Sequence, residues 1–104
     1  MALEHSLMSQ NAYRLAILKL IAQLKAKGQS DQYVLYQVMP DEVHDPTLLS
    51  QRAYGTRSHA DVVMIAAGVN SIDDPLPETD LVLPLGSAVV VLKRLYKVMG
   101  NGQR

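Results

Sequence analysis

From Ser6 to Lys27 the apolar positions recur at helical spacing, and neither Pro nor Gly interrupts them. Leu15, Leu18 and Ala22 make one row. Tyr13, Ile17, Leu20, Ile21 and Leu24 make a second. At about 100° per residue the two rows together leave a narrow polar strip. Lys25 and Lys27 stand where cations suit a helix C-terminus, and Gly28 is a stop signal. The spacing therefore predicts a long helix that needs cover on most of its sides. It can be the central helix of a small domain, or it can dock on another chain through Tyr13, Ile17, Leu20, Ile21 and Leu24. A helix lying on a membrane surface is disfavoured by its few basic residues.

After that helix the pattern changes. Tyr33 to Met39 is rich in β-branched and aromatic residues and ends at Pro40, which reads as a strand. Asp45 followed by Pro46 is a helix start, because Asp caps and Pro at the first position gives up a donor that would be unpaired anyway. A short helix over Pro46 to Tyr54 ends at Gly55. A second runs from Thr56 or Ser58 to about Gly68. Ile72 to Gly86 carries Pro75, Pro77 and Pro84 among acidic residues and reads as a loop. Ala88 to Leu92 reads as the second strand, extending toward Val98. The expected architecture is α+β, a two-stranded antiparallel sheet packed on two short helices and preceded by the long helix. Residues 1–30 would be the docking helix, 31–99 the βααβ body and 100–104 a frayed tail.

The chain is 104 residues long, one domain's worth, with a modest core. Its aromatics are five Tyr, so the core must be aliphatic. Ten basic and ten acidic residues balance, which argues against a general nucleic-acid binder. The absence of Cys excludes disulfides and thiolate metal sites. Met1 to His5 lacks the basic start and apolar run of a signal peptide, and Ala12 to Leu24 is interrupted by Arg14 and Lys19. Both lead to the expectation of a soluble protein.

Candidate chemistry is sparse. His5, His44 and His59 are scattered, in no metal-ligand spacing, and are expected at the surface or in turns. His44 beside Asp45 and His59 near Asp61 are catalytic pairs by residue type alone, with no nucleophile elbow nearby. Asp73, Asp74, Glu78 and Asp80 lack the alternation and the glycine of a calcium loop, so a solvated acidic loop is expected. Lys93, Arg94 and Lys97 are expected to protect an exposed strand edge or to meet a neighbouring subunit. No phosphate-binding glycine motif is present. The expectation is a binding or assembly module with no catalytic residue, cofactor or metal.

Three segments resemble the LysM-type βααβ domain. Leu48 to Thr56 closes with Tyr54-Gly55-Thr56, like the family's first helix. Asp61 to Asn70 is similar to its second helix ending in Asn. Pro84-Leu85-Gly86 is similar to the lead into its last strand. Tyr54, Gly55, Asn70, Pro84 and Gly86 are the positions that would define the fold. Gly55 would permit the tight turn, Asn70 would end its helix left-handed, and Gly86 would let the chain turn into the strand. Asn70-Ser71-Ile72-Asp73-Asp74-Pro75 resembles the acidic, proline-containing loop of LysM-like domains in bacteriophage tails and baseplates.

That resemblance implies a structural virion component joining tail, hub or wedge proteins, located in the virion and in host cytoplasm during assembly. Its partners would be other tail or baseplate proteins, with self-association in a multi-copy ring open to it, and neither nucleic acid nor membrane. The alternative is a peptidoglycan- or chitin-binding LysM module. Asp45-Pro46-Thr47-Leu48, standing where those modules have Gly-Asp-Thr-Leu, points away from glycan.

Overall fold

The uninterrupted run of helix formers becomes the longest element, α1, over Ala2–Lys27. The computed structural model describes residues 2–29 and 31–97, with side chains from Asn11 onward. After α1 come β1 (Tyr33–Gln37), a 3₁₀ turn (Pro40–Glu42) and α2 (Pro46–Tyr54). A second 3₁₀ turn (Arg57–His59) leads into α3 (Ala60–Ala67), followed by β2 (Asp80–Pro84) and α4 (Gly86–Leu95). The fold is α+β, with four helices and one two-stranded antiparallel sheet among the described residues. The tail at 100–104 and Val98, the end of the expected strand extension, lie outside the described residues.

Local signals explain the two short helices. The Asp45 side chain accepts from the Leu48 N–H, and Pro46 fills the first helical position. Gly55 ends α2 at φ 78°, a left-handed conformation that a β-carbon disfavours. The Thr56 hydroxyl then caps the turn into α3 by accepting from Ser58 N–H. Ser50 is buried and fully used, donating to the Thr56 carbonyl and accepting from His59 N–H. The left-handed stop of α3 is Gly68, at φ 78°, and not Asn70 as expected. Gly carries no steric penalty there and takes the role first. Asn70 instead accepts from Arg14 Nη2 at 2.9 Å, tying the end of α3 to α1.

The sheet pairs Tyr33 with Pro84 through Gln37 with Asp80. Val34, Tyr36, Leu81 and Leu83 face one side and pack with α2 and α3 around Leu49, Val63 and Leu76. Val82, on the opposite face, packs into a second cluster built from Tyr13, Ile17 and Ile21 of α1, Val62 and Ile65 of α3, and Val89 of α4. Helix α3 lies between the clusters and is apolar nearly all round, as a doubly covered helix must be.

Two expectations about the last third of the chain are overturned. Asp80–Pro84 is the second strand, not part of a loop, and Gly86–Leu95 is a helix, not a strand. The strand tolerates its proline because of phase. Val38 N–H donates to the Thr79 carbonyl at 3.0 Å, in register with the ladder. Hydrogen-bonded pairs alternate, so Val34–Leu83 and Tyr36–Leu81 exchange bonds, while Pro84 sits where no ladder donor is needed. In α4, Val89, Leu92, Lys93 and Tyr96 share one face against α1 and α3. Val costs a helix under about 0.7 kcal/mol per residue, whereas burying Val89 stabilises by about 1.5–3 kcal/mol. Packing therefore overrides the β-branched run. Gly86 opens this helix, in place of the expected turn into a strand, and Lys93 and Arg94 lie on the helix, not on a strand edge.

Candidate functional site

Of the two readings of α1, the structure shows the central helix of a small domain. Tyr13, Ile17, Ile21 and Leu24, the row offered for docking, are buried in the chain's own core, with Ile17 at 0% exposure. Leu20 is half-buried at the border with α4. Spaced at i, i+4, i+8 and i+11, the four buried residues form the stripe that a single helix offers a single core. The exposed side is the other row, where Leu15 is 58% exposed and Leu18 and Ala22 are also at the surface.

A shallow groove, lined by neither Leu15 nor Leu18, runs between α1 and α4. Ala16 and Leu20 line it from α1, and Ala88, Val91 and Leu92 from α4; Lys19 and Gln23 sit at its polar rim. Leu95, 67% exposed, follows Val91 by one helical turn. The same trough continues past Leu24 and Gly28 toward Leu85. Aliphatic side chains on two adjacent helices thus present a broad apolar surface with few polar groups. No sequence signal could have found the α4 half while that segment read as a strand.

The densest polar constellation joins α1, α3 and α4. Lys93, 7% exposed, donates to the Ser58 carbonyl at 2.6 Å and to His59 Nδ1 at 3.0 Å, and its Nζ lies 3.4 Å from Asp61 Oδ1. Asp61 Oδ2 accepts from the Tyr13 hydroxyl at 3.1 Å. The ammonium donates, so His59 must be the neutral tautomer with its proton on Nε2. Burial pushes the His59 pKa down, and the Lys93 charge pushes the same way. Burial, then the Asp61 charge, drives the Tyr13 hydroxyl far above its ordinary range. His59 also stacks edge-on against Tyr54 at 5.1 Å, and the Tyr54 hydroxyl donates to the Pro84 carbonyl at 2.7 Å. Of the two expected places, His59 takes the turn, at the end of Arg57–His59, and it is buried there and not at the surface. His44 is exposed as expected.

This arrangement gives Lys93 two hydrogen-bond acceptors and one ion-pair contact, and holds α4 against the start of α3. Its chemistry is that of an anchor: a charge satisfied at a packed helix junction. A second anchor lies across the sheet. Glu42, fully buried, accepts from Tyr36 Oη at 2.6 Å, Met39 N–H at 2.8 Å and Arg52 Nη1 at 3.0 Å, and Arg52 also pairs with the exposed Asp41. Burial and the Glu42 bond push the Tyr36 hydroxyl up to about 12. The Arg52 guanidinium holds the Asp41 carboxyl below its usual range.

The expected fold-defining residues divide. Tyr54 and Gly55 hold the places foreseen, Pro84 ends a strand, Gly86 begins a helix and Asn70 is a side-chain acceptor. Asp73, Asp74, Glu78 and Asp80 are all exposed, and no group of three or more candidate ligands gathers for a metal among the described residues. Among those residues no helix is long and apolar enough to cross a membrane. No family model matches this sequence, and neither the curated proteins nor the solved structures yield a match.

Proposed function

We propose that this chain is an assembly module: a LysM-like adaptor of a bacteriophage tail or baseplate that joins neighbouring structural proteins and performs no reaction. The observation carrying the reading is the aliphatic groove lined by Ala16 and Leu20 of α1 and by Ala88, Val91 and Leu92 of α4, with the exposed Leu95 one turn beyond Val91. Such a surface on so small a domain is a site for another polypeptide. Its aliphatic lining suits a protein neighbour better than a sugar, which wants polar groups and an aromatic platform. The LysM-like part of the reading rests on the resemblance across Leu48–Asn70 and on the chain order β1, α2, α3, β2 with the two strands paired antiparallel. In that setting the body is a rigid block, located in the virion and in host cytoplasm during assembly. Helices α1 and α4 supply the contact.

The test uses particles purified from cells that encode the chain. Mass spectrometry should find it at fixed stoichiometry with tail or baseplate proteins. A Val91→Asp, Leu95→Asp double variant should keep its circular dichroism and lose incorporation by roughly tenfold or more, the equivalent of about 1.4 kcal/mol. A chain absent from such particles, or a double variant incorporated like wild type, would overturn the proposal.

A further inference from the structure

Strand β1 is an open edge, and its composition is unusual for one. The ladder phase that directs Val34 and Tyr36 toward β2 directs the backbone N–H and C=O groups of Tyr33, Leu35 and Gln37 outward. None of these groups has a hydrogen-bond partner among the described residues. Proteins guard such edges with Lys, Pro, bulges or covering segments. The β2 edge is guarded in this way: it ends in Pro84, whose carbonyl is taken by Tyr54 Oη, and it starts at the charged Asp80. The β1 edge reads Tyr-Val-Leu-Tyr-Gln, with no charge and no proline, and its central Leu35 is 62% exposed.

We infer that β1 pairs antiparallel with β1 of a second copy about a two-fold axis through Leu35, making one continuous four-stranded sheet β2–β1–β1–β2. The register is self-complementary. Leu35 stands opposite Leu35, and Tyr33 opposite Gln37 in both directions, so every outward backbone group meets one in phase. An isologous contact sets each residue near its own copy, and a charge close to the axis would repel itself. The neutrality of residues 33–37 is what this symmetry requires and what a heterologous charged partner would not. The operation keeps sheet faces, so both Leu35 side chains lie on the face that carries Val82 and α1. This edge is separate from the α1–α4 surface, and the inference does not depend on the assembly reading.

The absence of Cys provides a clean test. In a hydrogen-bonded antiparallel pair opposed Cα atoms lie about 5.5 Å apart, inside the range a disulfide spans. Leu35→Cys should therefore oxidise to a linked dimer much faster than Ile72→Cys, a comparably exposed control away from the edge. Sedimentation of the wild-type chain should show a monomer–dimer equilibrium. Leu35→Lys should weaken it by roughly tenfold or more. Leu35→Pro should abolish it while leaving the fold intact, since the N–H it removes is not used by the β1–β2 ladder. A wild type that stays monomeric at high concentration overturns the inference. So does a dimer untouched by Leu35→Lys but lost in Val91→Asp, Leu95→Asp, which would move self-association to the helices. Linking no faster at Leu35→Cys than at the control does the same.

Discussion

Single residues carry opposite meanings in this chain when they share a type. Gly55 is left-handed with open space around it, so Gly55→Ala costs only the conformational penalty, about 1–2 kcal/mol, and no clash. Gly86 opens α4 without a positive φ, and a β-carbon there would sit at an ordinary 3.5 Å from Tyr54 Cδ1. Gly86→Ala is therefore expected to be neutral or to stabilise by about 0.5–1 kcal/mol. Urea unfolding of the two variants reads both signs. His59 adds a pH dependence. Its pKa is lowered in the folded chain, so below the ordinary histidine value the unfolded chain binds more protons than the native one. Stability contributed by neutral His59 is complete above about pH 6.5 and is lost as pH falls through the folded value. His59→Asn keeps an acceptor for Lys93 but cannot titrate. Unfolding free energies at pH 7.5 and 5.5 should diverge in the wild type and show a smaller difference in the variant.

Among the elements, α4 separates what the sequence discloses from what only packing decides. Asp45-Pro46 and the Tyr-Gly turn were readable because capping and left-handed turns are local chemistry. The run Ala88 to Leu92 was not, because its β-branched composition favours a strand, while the value of the face Val89, Leu92, Lys93, Tyr96 depends on α1 and α3 being in place. Val82 posed the converse problem: three nearby prolines hid a strand whose one proline needs no ladder bond. In α1 both apolar rows were visible, but nothing local says which row meets the chain's own core. His59 and Lys93 are 34 residues apart, and no spacing rule joins them. Val90→Pro discriminates the helical from the extended reading of this segment. Residue 90 is exposed on α4, and proline in the helix interior should cost about 3 kcal/mol or more. It should also detach Lys93 from Ser58, seen as a loss of amide-exchange protection over 86–95.

At the scale of the whole molecule, two anchors and two cores make a block whose surfaces differ in character. The Glu42–Arg52 cluster closes the far side of the sheet, and the Lys93 cluster locks α4 beside α1, with the aliphatic groove between the two helices. A domain of this size is stable by only about 5–15 kcal/mol, so truncating the central Ile17→Ala should remove about 2–5 kcal/mol, read by thermal unfolding. The position of that surface relative to neighbours is what an assembly module must control. Side-chain footprinting by hydroxyl radicals, comparing the free chain with the chain inside a purified tail or baseplate particle, tests it most directly. The account predicts strong protection of Val91 and Leu95 in the particle while Ile72 stays as reactive as in the free chain. Equal reactivity of the α1–α4 surface in both states would contradict it.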